Sequence, residues 1–504
     1  MTTLAAQSSQ KMPAGTISLL IVQLFSMISY AILYSSLALY CAQGLHLDDH
    51  LITSLIAMFV AFFYGLHLIG GFIGGRFLSY RSLFIISMLL LATGCYLISI
   101  PNFTPFYLGI ALFLTGAGLN VTCTNCMLTQ LFHPEDKRRE RAFLWNYSSM
   151  NLGFCLSFIT AGYFQVTHNY HDLFLISAFG NIGALLIVAI SWSKLKDVHS
   201  AYSLSPHKVL RVLFGLTLML ALFFAVYYLV KQPTASQQLM IYGTLSALAF
   251  LLILSFIEKD RIHKQKMRAY LIFSGAVITF WTIALLGPNA LILFLDRNID
   301  RHFFSFVIPP QWFFNINPLM IILGGPPLAA LFQKLRRKGY RITVAQQFST
   351  ALFLIGGGLL LIPIGVAFAN ADGTVPAAWI TVCFTLQGIG ELFIGPIGYA
   401  MVGQLAPPRL RGLMMGTWLM TGGMGGALAG IFSNWATVST TGDLSPAATS
   451  ATYGHVFLIL GIACVAVAAI LFLLRPLLDK LTGESEIKHD NETLTANDAA
   501  VAVS

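Results

Sequence analysis

The amino-acid sequence predicts an all-α membrane protein with fourteen transmembrane helices, on three observations. First, only 10% of the 504 residues are charged and 57% are hydrophobic, whereas soluble proteins average about 25% charged residues. Second, the hydrophobic residues fall into stretches long enough to cross a bilayer as a helix. Third, the basic residues concentrate in alternate connecting segments. The composition excludes a disordered chain and an ordinary soluble enzyme, and it argues against nucleic-acid binding despite a net charge of +9.

Each predicted span is an apolar stretch bounded by polar or charged residues. In chain order the stretches lie near residues 16–42, 52–75, 82–100, 105–131, 142–166, 172–193, 209–230, 236–257, 269–295, 312–333, 346–370, 377–404, 412–435 and 453–474.

The distribution of the basic residues predicts the orientation of the chain in the membrane. Of the 29 basic residues, 26 lie in one alternating set of connecting segments and termini, and only Lys231, Arg297 and Arg301 lie in the other. Cytoplasmic loops of membrane proteins carry the excess of Lys and Arg. The distribution therefore predicts that both termini are cytoplasmic, in the inner (plasma) membrane of a bacterium, and it needs no acidic partner to explain the net charge.

The most basic connecting segments divide the spans into groups of six, two and six. This grouping is typical of the major facilitator fold with an inserted helix pair, in which two six-helix bundles rock around a site near the bilayer midplane. We expect a cytoplasmic N-terminus (1–15), an N-terminal six-helix bundle (16–194), an inserted helix pair with basic linkers (195–266), a C-terminal six-helix bundle (267–476) and a disordered cytoplasmic tail (477–504).

Ionisable residues inside a membrane are costly, and they are functional candidates for that reason. Of the 20 acidic residues, only Glu391 lies well inside a span, and His67 is the one mid-span histidine. Glu391 can hold a substrate amine or carry a proton, or it can be a protonated residue bonded to a neighbouring helix. For His67 the alternatives are proton transfer and a neutral structural histidine bonded to a backbone carbonyl.

Several motifs resemble those of the proton-dependent oligopeptide transporters of the major facilitator superfamily, over most of residues 16–476. The best match, FLWNYSSMNLG at 143–153, is similar to the family's fifth-helix signature ending in Asn-x-Gly. Glu391 falls at the tenth-helix glutamate that receives a peptide's amino terminus. With helix numbers that omit the inserted pair, the other matches are Tyr64-Gly65 with Gly70-Gly71 in the second helix, Phe280-Trp281 with Asp296-Arg297-Asn298 in the seventh, Asn317-Pro318 with Pro326-Pro327 in the eighth and Met415-Gly416-Thr417-Trp418 in the eleventh.

The resemblance implies a central cavity with a defined set of lining residues. Asparagine offers both donor and acceptor to a peptide backbone, and Trp and Tyr provide apolar walls with a polar group; either ring is also common in plain packing. The residues implied to bind substrate are Glu391, Asn151, Asn317, Tyr30, Tyr34, Tyr64, Trp281 and Trp418.

The sequence departs from the family where a peptide's carboxyl end and the protons would bind. The family's first helix carries Glu-x-x-Glu-Arg, but residues 23–27 read QLFSM. The fourth-helix lysine is Cys123, and the seventh-helix Glu-Gln pair is Leu285-Leu286. A carboxylate in such a cavity without a cation is strongly penalised. We therefore expect a substrate whose carboxyl end is masked, absent or held by neutral donors such as Tyr34 and Asn151, and only Glu391 and His67 remain as proton-coupling candidates.

The leading hypothesis is a secondary transporter that imports di- or tripeptide-like or amine-bearing solutes by alternating access, with proton coupling open. The alternatives are a transporter of a non-peptide solute, such as a siderophore or an amine metabolite, and a non-transporting binding or sensor homologue. No phosphate-binding loop or catalytic cluster occurs, so we expect neither an enzyme nor a cofactor. Cys123 and Cys126 lack further ligands, so no metal site is predicted. The expected partners are the lipid bilayer, a small-molecule or short-peptide substrate and, if coupling exists, protons.

Overall fold

The computed structural model describes residues 11–133, 136, 138–197, 200–340, 342–437 and 444–483, and the statements below concern these residues. Helices account for nearly all of them. The α-helices are α1 (Thr16–Leu39), α2 (Asp49–Gly65), α3 (His67–Ile73), α4 (Tyr80–Ile98), α5 (Phe103–Gln130), α6 (Arg138–Val166), α7 (Tyr170–Ile190), α8 (Lys208–Val230), α9 (Pro233–Ile257), α10 (Arg261–Ala284), α11 (Ile292–Arg297), α12 (Pro310–Phe313), α13 (Ile316–Arg337), α14 (Val344–Ala367), α15 (Ala377–Leu405), α16 (Arg411–Ala436), α17 (Pro446–Leu473) and α18 (Arg475–Thr482).

Short elements complete the described chain. Strands β1 (Ile299–Asp300) and β4 (Val375–Pro376) pair in parallel, and β2 (His302–Phe303) and β3 (Phe306–Val307) pair antiparallel. A π-helical turn, Tyr40–Gly44, extends α1, and a second one, Gly287–Leu291, joins α10 to α11.

Side-chain caps at several helix starts agree with the sequence. Ser79 accepts a hydrogen bond from the Ser82 amide at the start of α4, and Asn102 accepts one from Thr104 before α5. Such caps satisfy backbone N–H groups that have no partner within the helix. The turns between spans thus carry the residues that begin the next helix.

Twelve helical stretches within the described chain are long and apolar enough to cross a membrane, so the all-α membrane prediction is confirmed. The predicted spans near 142–166 and 412–435 lie in α6 and α16, which are not among the twelve. Helix α6 begins with four charged residues, and α16 contains seven glycines, which lowers the mean hydropathy of both. The count of fourteen spans stays a prediction.

The described helices fall into two compact units. The first contains the described part of Met1–Leu47 and Phe62–Ser236; the second contains Asp48–Ala61 and the described part of Gln237–Ser504. In the first unit α4 packs on α5 and α7, and α1 packs on α6 and α7. In the second, α14 packs on α15 and α17, α10 on α16, and α13 on α15.

The two helices of the predicted inserted pair belong to different units. Helix α8 packs on α5 within the first unit, where Gly215 lies against Phe77 and Leu78. Helix α9 belongs to the second unit from Gln237 onward, and the Thr244 hydroxyl on α9 donates to the Met420 carbonyl on α16 at 3.3 Å. The predicted domain boundaries remain a prediction.

The structure differs from the expected disordered tail between residues 477 and 482. These residues continue α18, which packs on α10 and buries Leu478 completely. The sequence RPLLDKLT is amphipathic, with leucines one turn apart, and burial of its apolar side favours the helix. Residues 484–504 of the predicted tail lie outside the described residues.

Candidate functional site

Glu391 lies in the middle of α15 and is paired with Asn317 near the start of α13. The Asn317 Nδ2 atom donates to Glu391 Oε2 at 3.0 Å. Both residues are partly buried. The hydrogen bond orients the carboxyl group through Oε2.

Gly388 allows the two helices to approach closely enough for this hydrogen bond. A Cβ atom at Gly388 would lie 2.8 Å from Met320 Cβ and 3.1 Å from the Asn317 carbonyl oxygen. These distances are too short for a larger residue without movement of α13. Since Gly388 precedes Glu391 by three residues, both lie on the α13 side of α15. The sequence brings Glu391 to Asn317 through this glycine.

Tyr30, Tyr34 and Tyr64, which the sequence analysis placed in the binding site, lie around one aromatic cluster of the first unit. The Tyr30 ring stacks on Phe63 with centroids 3.5 Å apart, and Tyr34 is 5.7 Å from Tyr30. Phe63 also contacts Tyr64 edge to face at 5.4 Å. The cluster is an apolar surface with three hydroxyl groups, and it contains no charged side chain.

His67 borders the same cluster at the first residue of α3. Its ring meets Phe63 edge to face at 4.9 Å, and Tyr64 lies 6.4 Å away. The side chain is 5% exposed, and among the residues that the structure describes its Nε2 atom has no hydrogen-bond partner. Its backbone carbonyl accepts a hydrogen bond from the Thr122 hydroxyl. Proton coupling at His67 stays a prediction.

Asn151 lies on α6 and is buried, and its Nδ2 atom donates to the Tyr147 carbonyl at 2.9 Å. Phe154, three residues later, contacts the Tyr30 ring at 6.0 Å. Asn151 is therefore on the side of α6 that meets the aromatic cluster. Its Oδ1 atom can accept from a substrate donor, and the second hydrogen of Nδ2 can be donated to a substrate carboxylate.

The two predicted tryptophans lie in the second unit. Trp418 is buried between Tyr270 and Phe348, with centroid distances of 6.1 and 6.3 Å. Trp281 is partly buried beside Phe280, and α16 approaches it at Gly425. The surroundings of Trp418 are those of a packing residue, so its predicted contact with substrate stays a prediction.

The positions where the sequence lacks the expected charges are buried. Gln23, Ser26 and Met27 on α1 are at most 4% exposed, and Cys123 on α5 is fully buried. Leu285 and Leu286 are equally buried at the end of α10. Neutral side chains thus fill these positions.

Comparison with known protein families identifies the family of the chain. A model of the POT family matches residues 81–451. The chain belongs to the POT family. The resemblance inferred from the fifth-, eighth- and tenth-helix motifs is thereby confirmed.

The relatives of this POT family chain match it over almost its whole length. Dipeptide and tripeptide permease A of Serratia proteamaculans (strain 568) is 29% identical over 478 residues, which cover 94% of this chain and 93% of that protein. The protein of the same name from Klebsiella pneumoniae (strain 342) is 27% identical, with 98% and 97% covered.

Solved structures of POT transporters have the same fold. A mutant of peptide transporter POT in complex with alafosfalin has a TM-score of 0.82 at 22% identity, covering 93% of this chain and 96% of that one. A POT family transporter in complex with 5-aminolevulinic acid has a TM-score of 0.81 at 20% identity, covering 92% and 97%. The chain has the fold of a membrane protein similar to the major facilitator transporters.

Of the residues that position the site, sequence reasoning missed Phe63. Phe63 connects Tyr30, Tyr64 and His67, and Gly388 sets the distance between Asn317 and Glu391. The spacing of Gly388 and Glu391, three residues apart on one helix, was a signal for Gly388. No comparable signal pointed to Phe63, because phenylalanine is abundant throughout the spans.

Proposed function

We propose that this protein is a secondary transporter that moves peptide-like or other amine-bearing solutes across the bacterial inner membrane by alternating access. The proposal includes fourteen spans with an inserted helix pair, cytoplasmic termini and import. The observation that carries it is the Glu391–Asn317 pair inside a POT family chain. The names of the permease relatives support peptides as the substrate class.

The Glu391 carboxyl group supplies the site for a substrate amine. Asn317 bonds Oε2, so an ammonium group can bind at Oε1, and a charge-assisted hydrogen bond of this kind is stronger than a neutral one. The neighbouring residues of α15 are mostly apolar, and a low local dielectric constant strengthens the electrostatic interaction. An amine is therefore the first requirement for a substrate.

The carboxyl end of an ordinary peptide lacks a comparable partner. Helices α1 and α5 contain no Lys or Arg, and Gln23, Ser26, Met27 and Cys123 fill the positions where relatives carry charges. A carboxylate placed there would lose its hydration without gaining a cation. We infer that the preferred substrates have a masked or missing carboxylate, or hold it through neutral donors such as Tyr34 and Asn151, and that the aromatic cluster at Tyr30 binds their apolar part.

Proton coupling, if it occurs, uses Glu391 or His67. A carboxyl group that binds an ammonium ion as the anion can release it on protonation. The loss of the first-helix acids also favours a second candidate function, a facilitator or substrate sensor without coupling. If Glu391→Gln and His67→Ala both leave pH-driven uptake by proteoliposomes intact, neither residue couples protons to transport.

Thermal stability of the purified protein tests the substrate class. A ligand that binds only the folded state raises the melting temperature. We expect millimolar dialanine amide to raise it and dialanine to have little effect, with Glu391→Gln abolishing the shift. A clear shift with dialanine that the amide lacks contradicts the proposal.

Counterflow across vesicles then separates a transporter from a sensor. Vesicles loaded with unlabelled ligand should accumulate the labelled ligand if the protein exchanges it, whereas a sensor binds without accumulation. Uptake of 5-aminolevulinic acid, which carries both an amine and a carboxylate, is the matched comparison. We expect it to be slower than uptake of an amine whose carboxylate is masked.

A further inference from the structure

Two neighbouring residues of α2, Thr53 and Ser54, are held by three amide side chains, all within the second unit. The Asn434 side chain on α16 contacts both hydroxyl groups, and its Nδ2 donates to Ser54 Oγ at 3.2 Å. Asn289, in the π-helical turn after α10, donates from Nδ2 to the Thr53 carbonyl at 3.2 Å. We call this arrangement the amide node.

The third amide comes from the inserted pair. Gln237, one turn into α9, donates from Nε2 to the Ser54 carbonyl at 2.9 Å and is only 3% exposed. A carbonyl oxygen has two lone pairs, so it can accept this bond in addition to one from its own helix. Burying the polar amide of a glutamine in an apolar span costs free energy unless its hydrogen bonds are made. Gln237 therefore fastens α9 to α2.

Close packing surrounds the amide node. A Cβ atom at Gly430 of α16 would lie 2.1 Å from Ala57 Cβ and 3.5 Å from Gln237 Oε1. Beyond the node, Arg297 forms an ion pair with Asp49 at the start of α2. The first half of α2 is thus bound through hydrogen bonds, an ion pair and a glycine contact to the elements of the second unit.

The chain passes from one unit to the other in the last turn of this helix. Residues Asp48–Ala61 group with the second unit, whereas Phe62 begins a stretch of the first. Alternating access moves helix bundles as bodies, so the contacts that fix α2 within its unit bear on the proposed transport cycle.

We propose that Gln237 is a positioning residue through which the inserted helix α9 holds the first half of α2, so that the inserted pair takes part in the transport cycle. The role of Gln237 in transport rests on the proposed function, whereas the attachment of α2 to α9 through Gln237 does not depend on it. Gln237 touches neither Glu391 nor the aromatic cluster among the contacts described above, and it acts through α2.

Hydrogen–deuterium exchange of the purified full-length protein tests the hold without any substrate. Gln237→Met keeps the length of the side chain and removes the amide. Loss of the Gln237 hydrogen bond should make local opening of α2 more frequent. We therefore expect backbone amides in peptides covering residues 48–61 to exchange about threefold to tenfold faster. If Gln237→Met does not yield folded protein, Gln237→Ala takes its place.

Thr244→Val is the matched control. Thr244 lies two turns further along α9, and its hydroxyl donates to the Met420 carbonyl of α16 instead of to α2. We expect unchanged exchange over residues 48–61 in this variant. Unchanged exchange in the Gln237 variant, or equal acceleration in Thr244→Val, overturns the proposal.

Counterflow rates in vesicles test the role in transport. We expect Gln237→Met to change the maximal rate by about threefold and to leave KM unchanged, because the substrate site is not altered, while Thr244→Val changes neither. Faster exchange in residues 48–61 with an unchanged transport rate overturns the role in the cycle. Absence of transport in the unmodified protein contradicts the proposed function instead, and the exchange result then still decides the hold.

Discussion

The two compact units place different chemical groups at their candidate functional residues. In the first, Tyr30 and His67 contact Phe63 through stacked and edge-to-face rings. In the second, a carboxyl group and amides form direct hydrogen bonds, as between Glu391 and Asn317. Helix α1 of the first unit contains no Asp, Glu, Lys or Arg, whereas the second unit contains Glu391 inside α15.

This difference indicates where the binding energy for a charged substrate group comes from. Aromatic contacts stabilise apolar groups with little directional preference, whereas a carboxyl group selects for a cation. We expect substitutions in the second unit to change which ligands bind. Substitutions in the aromatic cluster of the first should change the preference for an amine much less.

The largest expected effect is that of Glu391→Gln on ligand affinity. The variant keeps the shape of the side chain and a hydrogen bond to Asn317, but it removes the negative charge. Hydrogen bonds to charged groups contribute about 2 kcal/mol, so the Kd for an amine ligand should rise roughly 30-fold. Isothermal titration with dialanine amide measures this change.

The corresponding substitution in the first unit is the control for this prediction. Tyr30→Phe removes one hydroxyl group and no charge. Equal losses of affinity in Glu391→Gln and Tyr30→Phe would show that the charge is not the main determinant, and they would remove the contrast between the units.

The next largest effect is that of Gly388→Ala on stability. Alanine favours a helix over glycine by about 1 kcal/mol, but its Cβ would lie 2.8 Å from Met320 Cβ and force α13 away. Overpacking of this kind costs about 1–3 kcal/mol, so the net change should be destabilising, with weaker amine binding because Asn317 moves. Thermal unfolding measures the first effect.

Gly403→Ala on the same helix is the matched control. Among the described residues, no atom lies within 4 Å of a Cβ built at Gly403, so this variant should be as stable as the unmodified protein or more so. If Gly388→Ala is equally well tolerated, the close approach of α13 and α15 does not determine the position of Glu391.

Much of the fold follows from the sequence, since lipid imposes long apolar helices and places basic residues in particular loops. Glu391 stood out for the same reason, as the one acidic residue well inside a span. The sequence did not indicate the helix break between Gly65 and His67 or the π-helical turn at Asn289. They depend on packing against other helices, which hydropathy does not report.

The amide node was missed for a different reason. Only ionisable residues inside the spans were candidates, so Gln237, Asn289 and Asn434 were not predicted. Uncharged amides in apolar spans carry the same requirement for hydrogen-bond partners. Three amides in separate spans were a signal that these helices meet. Their partners are backbone carbonyls and hydroxyl groups of α2, which no residue pattern identifies in advance.

A smaller effect is expected for Phe63→Leu in the first unit. Leucine keeps the apolar volume but loses the stacking on Tyr30 and the edge contact with His67. Aromatic pairs contribute about 1 kcal/mol beyond burial, so thermal stability should fall modestly while amine preference is retained. Phe179→Leu, at a ring that is 66% exposed, should change neither, and a switch in ligand preference with Phe63→Leu would contradict the comparison.

The smallest effect concerns a charged pair outside the spans. Glu258, just after α9, accepts hydrogen bonds from the Asp260 and Lys259 amides and pairs with Arg409. These contacts, led by the Asp260 amide, hold the pKa of the Glu258 carboxyl below its usual range. A lowered folded-state pKa stabilises the protein above the unfolded-state pKa, and this contribution is lost as the pH falls through the folded-state value.

Arg409→Gln removes only part of that contribution, because the backbone amides remain and the Arg409 side chain is exposed. Exposed ion pairs contribute little to stability. We expect an unchanged melting temperature at pH 7 and a slightly smaller loss of stability between neutral and acidic pH, measured by thermal unfolding across that range. A large drop at neutral pH would show that charges outside the spans matter as much as Glu391, and the distinction between the charge held inside the second unit and those at its surface would fail.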